Sequence, residues 1–81
     1  MNHWQLDYYF FPQCPFCFRV QKVIDQYKIP VNYFNIHQDA NALNKLIKDT
    51  GVKTVPCLYI NGKPMHESAD IIAWLQQNFK G

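Results

Sequence analysis

The sequence predicts an α/β fold in which a four-stranded mixed sheet is flanked by three helices. Short strand-like stretches at Leu6–Phe11, Val31–Ile36 and Cys57–Ile60 alternate with longer ones whose apolar residues recur every three or four positions. The first helical stretch lies between the first two strands, so these are expected to pair in parallel through a right-handed crossover. Asn61-Gly62 is a strong two-residue hairpin signal, which makes the last strands antiparallel.

Taken in order, Leu6–Phe11 is rich in Tyr and Phe and reads as a buried strand. Pro12 ends it, because proline cannot donate to a sheet ladder. Cys14 to about Tyr27 reads as a helix, with Cys17, Val20, Ile24 and Tyr27 on one apolar face. Ile29 precedes Pro30 and so avoids the helical region, which breaks the helix at Lys28-Ile29-Pro30. Val31–Ile36 follows as a strand. Asp39 is positioned to cap a second helix running to about Thr50, with Leu43, Leu46 and Ile47 as its apolar stripe and Gly51 as its terminator. Residues 52–56 form a loop, and Cys57–Ile60 and Lys63–Met65 form the hairpin. Ser68 is the expected cap of a last helix that carries Ile71, Ile72, Leu75 and Phe79. No repeat, linker or low-complexity segment interrupts this order.

Eighty-one residues correspond to one domain over 1–81, near the size where a single core just suffices, and the 16% aromatic content helps fill it. Eight Lys and Arg against six acidic residues give a net charge of +2 without any basic run, which argues against nucleic acid. The balance is compatible with small anionic ligands. No apolar run approaches the roughly 20 residues needed to span a membrane. Met1–Trp4 has no basic segment with a signal-type apolar stretch behind it. Three cysteines, an odd number, argue against a stapled secreted domain. A cytoplasmic monomer is the resulting expectation. In a reducing compartment a close cysteine pair is catalytic or metal-binding rather than structural.

That pair is Cys14-Pro15-Phe16-Cys17, placed after the first strand and at the start of the first helix. Unpaired N–H groups and the helix dipole there favour a thiolate on Cys14, the species that attacks disulfides. Pro15 suits the opening turn, where its missing N–H would have had no partner. Cys17 lies one turn beyond Cys14 on the same face, within reach to close a disulfide or resolve a mixed one.

With this motif, Thr54-Val55-Pro56 and the stretch from Asn61 to Asp70, the chain resembles the glutaredoxin branch of the thioredoxin-fold superfamily from Leu6 to about Phe79. The resemblance implies a thioredoxin-like (glutaredoxin) fold and a glutathione-dependent thiol–disulfide oxidoreductase with roles in electron transport and cell redox homeostasis. Glutathione would be co-substrate with no tightly bound cofactor, and disulfide-containing or glutathionylated proteins would be partners. Cys14 would be the nucleophile, Cys17 the resolving thiol and Pro56 a cis-proline. The Val55 backbone would pair with the cysteinyl part of glutathione, with Thr54 and Phe16 beside it. Ser68 would receive the γ-glutamyl carboxylate, and Asp70 its amino group. Many glutaredoxins carry a lysine three residues before the first cysteine, for the glycyl carboxylate. This chain has Phe11 there, which leaves Lys53, Arg19 and Gln13 as candidates. The family's usual Gly-Gly-(Ser/Cys)-Asp-Asp is replaced by His66-Glu67-Ser68-Ala69-Asp70, and its Glu67-Ser68 pair resembles glutathione transferases and the larger, transferase-like glutaredoxins.

Other readings compete. Structural zinc needs four ligands, and only Cys57 and three scattered histidines remain beyond the pair, so no metal site is expected. Cys57 reads as a small buried residue, His66 as a surface or loop histidine instead of a base, Phe16 as an exposed rim and Phe11 as the core aromatic nearest the site. The alternatives in function are a thioredoxin-like donor reduced by a flavoprotein reductase, a glutathione-ligated iron–sulfur cluster carrier, and a glutathione-binding module with little exchange activity.

Overall fold

The structure, a computed structural model, describes residues 4–79. The reading of Met1–Trp4 therefore lies, except for Trp4, outside the described residues. In chain order the elements are β1 (Leu6–Phe10), α1 (Pro15–Tyr27), β2 (Asn32–Asn35), α2 (Ala40–Thr50), β3 (Cys57–Ile60), β4 (Lys63–Met65) and α3 (Ser68–Asn78). The sheet order is β2-β1-β3-β4, with β1 parallel to β2 and antiparallel to β3, and β3 antiparallel to β4. This is the four-stranded mixed sheet with three helices that the sequence predicts.

The central strands β1 and β3, apolar except for Asp7, are covered on both faces. Leu6, Tyr8 and Leu58 pack with Cys17, Val20 and Ile24 of α1 and Ile71 and Leu75 of α3. Tyr9, Cys57 and Tyr59 pack with Ala42 and Leu46 of α2. A strand buried on both faces reads as a near-continuous apolar run, which is why Leu6–Phe11 is interrupted by Asp7 alone. Aromatic pairs extend the packing: Tyr9 lies against Phe34 and Tyr59, with centroids 4.9 Å apart in each case.

Three expectations shift. β1 stops at Phe10 and β2 spans only Asn32–Asn35, both shorter than the expected Leu6–Phe11 and Val31–Ile36. On α2, Ala42 and Leu46 are buried, Leu43 is half-buried and Ile47 is exposed, so the inward face is rotated away from Ile47. On α3, Ser68 is not the cap. Glu67 holds that position at φ 66°, makes no side-chain capping bond, and Ser68 is the first helical residue. Local spacing marked this helix start to within one residue, but the backbone turn leaving β4 decided which residue flanks it.

The other ends behave as their chemistry dictates. Asp39 caps α2 by accepting the Ala42 N–H at 3.1 Å, and Gly51 ends it at φ 79°. Asn61 and Gly62 both take positive φ (51° and 89°), as this tight hairpin turn requires. Among the described residues no helix is long and apolar enough to cross a membrane.

Burial also sets a pH response. It pushes the thiols of Cys17 and Cys57 from an ordinary 9.0 up to about 12, and raises Tyr8 and Tyr59 as well. These acids stay neutral in the fold after they ionise in the unfolded chain, so the unfolded state binds fewer protons above pH 9. Stability should be full below pH 9 and fall as pH rises toward 12. The midpoint of urea unfolding is expected to be lower at pH 10 than at pH 7, and equal midpoints would contradict this account.

Candidate active site

The loop between β1 and α1 delivers Cys14. Its N–H donates to the Phe11 carbonyl at 3.2 Å, closing a turn around Pro12 and Gln13. Cys14 is the N-cap of α1, one residue before the helix, with extended backbone at φ −86° and ψ 114°. Its Sγ accepts the Cys17 N–H at 3.3 Å, the position that a Ser or Asp oxygen ordinarily takes, and Pro15 follows at N1. The sulfur therefore sits at the positive end of the α1 dipole and accepts one of its unpaired N–H groups. The Cys14 thiol also points to the Val55 carbonyl across the chain, at 3.9 Å. All three cysteines are free thiols.

Cys17 sits deeper, 2% exposed against 6% for Cys14. Burial is the main cause of its raised pKa and the hydrogen bond toward Cys14 adds to it, while the Phe11 backbone and the Tyr8 hydroxyl act in the opposite direction. Cys17 is thus a neutral thiol at physiological pH. The Tyr8 hydroxyl, fully buried, donates to the Cys17 carbonyl at 2.8 Å and pins the first turn of α1 to β1. Sequence reasoning placed Tyr8 in the core without this bond, because nothing in local spacing relates a strand hydroxyl to a helix carbonyl. Tyr8→Phe should lower stability by about 1–2 kcal/mol, since the carbonyl loses a buried partner. Urea unfolding measures this, and an unchanged midpoint would mean that the bond contributes nothing.

Beside the cysteines lies a cleft of about 220 Å³ lined by Phe16, Thr54, Val55, Pro56, Glu67 and Ser68. Three separated segments meet there: the turn opening α1, the loop before β3, and the start of α3. Phe16 is 55% exposed and forms an apolar wall. The Val55–Pro56 bond is cis. The first helical bond of α3 runs from the Ile71 N–H to the Glu67 carbonyl, at 3.0 Å. The N–H groups of Ser68, Ala69 and Asp70 consequently have no carbonyl partner within the helix, and such a helix start favours an anion. The positive φ of Glu67, which costs a side-chain-bearing residue about 1–3 kcal/mol, bends the chain into this arrangement at the cleft wall.

The remaining candidates fall outside that lining. Lys53 and Asp70 are exposed next to it, while Gln13 and Arg19 border a different groove, beside Pro12, Cys14 and Pro15. Phe11 is half-buried and stacks on His37, centroids 4.4 Å apart, instead of lining the cleft. Cys57 is fully buried in β3. His66 lies in the loop between β4 and α3, is half-buried, and its Nε2 is enclosed without a hydrogen-bond partner. Among the described residues no three His, Cys, Asp or Glu side chains converge as a metal-binding group.

Comparison with known proteins adds an independent line. The fold superposes on a thioredoxin-like protein with a TM-score of 0.78 at 26% identity, covering 95% of this chain and all of that one. It superposes on glutaredoxin 2 of Salmonella typhimurium, solved in complex with glutathione, with a TM-score of 0.76 at 26% identity. This second match covers 94% of this chain but only 34% of the larger protein. Glutathione transferases share the fold at 24% identity or less. In sequence, the chain is 31% identical over 75 residues to the glutaredoxin of Haemophilus influenzae, covering 84% of this chain and 86% of that protein. The glutaredoxin family pattern itself matches residues 6–65, from the first residue of β1 to the last of β4, cysteine pair and cis-proline loop included. The chain belongs to the glutaredoxin family, whose members are thiol–disulfide oxidoreductases.

Proposed function

We propose that this protein is one domain that reduces glutathione mixed disulfides and protein disulfides with Cys14 as nucleophile and Cys17 as resolving thiol. The observation that carries the reading is the Cys14 sulfur itself: it caps α1, accepts the Cys17 N–H at 3.3 Å, and lies 3.9 Å from the Val55 carbonyl in the loop that walls the cleft. A helix start of this kind stabilises a thiolate without any partner base.

In the monothiol route, the Cys14 thiolate attacks the glutathione sulfur of a glutathionylated protein. The S–S bond breaks, the protein cysteine leaves as thiolate and takes a proton from solvent, and glutathione remains on Cys14. A second glutathione thiolate then attacks that sulfur, releasing oxidised glutathione and the Cys14 thiolate. In the dithiol route, Cys14 attacks a protein disulfide, and Cys17, on losing its proton, displaces the protein to leave a Cys14–Cys17 disulfide. Two glutathione molecules supply the two electrons that reopen it. The thiol of Cys17, raised to about 12, favours the monothiol route wherever glutathione is abundant.

Glutathione in this reading lies along the cleft, with its cysteinyl backbone against Val55 like a short added strand. Its γ-glutamyl carboxylate sits on the start of α3 at Ser68 beside Glu67, and Asp70 faces its amino group. Thr54, Pro56 and Phe16 wall the cleft, and Lys53, nearer to it than Gln13 or Arg19, takes the glycyl carboxylate. The protein acts as a monomer in a reducing compartment such as the cytoplasm. The test is reduction of the mixed disulfide of glutathione and 2-mercaptoethanol, coupled to glutathione reductase and NADPH. Turnover is expected. Its absence, with reduction by thioredoxin reductase instead, would replace this reading with a thioredoxin-like donor.

A further inference from the structure

A second groove, of about 530 Å³, shares no lining residue with the first. It is bordered by Pro12, Gln13, Cys14, Pro15, Phe18, Arg19 and Lys22. Pro15, Phe18, Arg19 and Lys22 stand at i, i+3, i+4 and i+7 of α1, so they form one stripe running away from Cys14. The opposite stripe, Cys17, Val20 and Ile24, is core. Phe18 is 62% exposed, and the Lys22 ammonium lies 5.6 Å from its ring centre. Between Cys14 and Lys22 the chain holds no acidic residue, and the nearest on the helix, Asp25, lies about one turn further along. Among the described residues the ion pair formed is Lys45–Asp49, so Arg19 and Lys22 carry uncompensated charge.

We propose that this stripe docks the protein substrate, and that it selects segments bearing carboxylates close to the oxidised cysteine. The inference rests on the reaction proposed above and names its substrate class. Two cations beside an exposed phenyl ring, leading from the nucleophile, complement an acidic segment with apolar contacts and repel a basic one. The length sets the register. Seven residues of helix rise roughly 10 Å, which an extended segment spans with about three residues. The carboxylates should therefore lie within about three residues of the reacting cysteine.

The experiment compares glutathionylated decapeptides with glutamates two and three residues from the cysteine, with lysines at those positions, and with the glutamates moved seven residues away. The mixed disulfide of glutathione and 2-mercaptoethanol serves as the small substrate. For the native protein, kcat/KM should favour the near-glutamate peptide over the lysine peptide by about tenfold at low salt, shrinking as screening rises. Lys22→Glu should remove or reverse that preference, Phe18→Ala should raise KM for the peptides, and both should leave the small substrate unchanged. Both positions are exposed, and circular dichroism checks the fold. Equal rates for the peptides, a preference that survives Lys22→Glu, or a Lys22→Glu effect on KM for glutathione itself would overturn the proposal, the last by assigning the groove to glutathione. If the native protein turns over no disulfide, the proposed reaction fails. Docking is then decided by fluorescence anisotropy with the same peptides carrying serine for cysteine. Tighter binding of the acidic peptide that Lys22→Glu abolishes would support the surface, and equal binding would overturn it.

Discussion

Cys14→Ser brings reduction of the glutathione–mercaptoethanol mixed disulfide down to the rate without protein, while Cys17→Ser stays close to the native rate. The first loss follows from chemistry: a serine hydroxyl does not attack a disulfide near neutral pH, whereas the sulfur it replaces caps α1 and accepts the Cys17 N–H. The comparison is clean because serine is itself a favoured N-cap, so α1 keeps its first turn and the Cys17 N–H keeps an acceptor. The second result follows from burial. Cys17 is 2% exposed with its thiol pushed up to about 12, so it contributes little where a second glutathione can attack instead. Activity in Cys14→Ser would move the nucleophile elsewhere, and loss of activity in Cys17→Ser would make the dithiol route obligatory for this substrate.

Leu58→Ala is expected to lower stability by about 2–5 kcal/mol. Leu58 is fully buried in β3, opposite Tyr8 of β1 and Met65 of β4, and packs among Val20, Ile24, Ile71 and Leu75. A domain of this size has about 4–12 kcal/mol in total, so the variant should melt on the order of 10–30 °C lower. Ile47→Ala is the control. Ile47 is apolar and on a helix but 41% exposed, and its loss should stay within about 0.5 kcal/mol. Thermal melts separate the two, and similar shifts would mean that the core does not centre on Leu58.

What local physics controls was legible in the sequence. The spacing of Cys17, Val20 and Ile24 shows the inward face of α1, and Asp39 and Gly51 mark the ends of α2. Asn61-Gly62 marks the hairpin, and two cysteines around Pro15 mark a helix start. Each is settled within a few residues by backbone preference, capping or period, and resemblance in Thr54-Val55-Pro56 and Glu67-Ser68 tied them to a family. Tertiary structure decided everything that depends on segments far apart in the chain. It turned Ile47 outward because the packing of α2 on the sheet, not its hydrophobicity, sets which residues are buried. It put Glu67 instead of Ser68 at the cap, since the path out of β4 governs that turn. It joined Tyr8 to Cys17, and closed a cleft from Phe16, Val55 and Ser68 while leaving Lys53 and Asp70 at its edge. The physical reason is common to all four: these contacts join residues on different elements, and only sheet register and helix packing determine which of them meet.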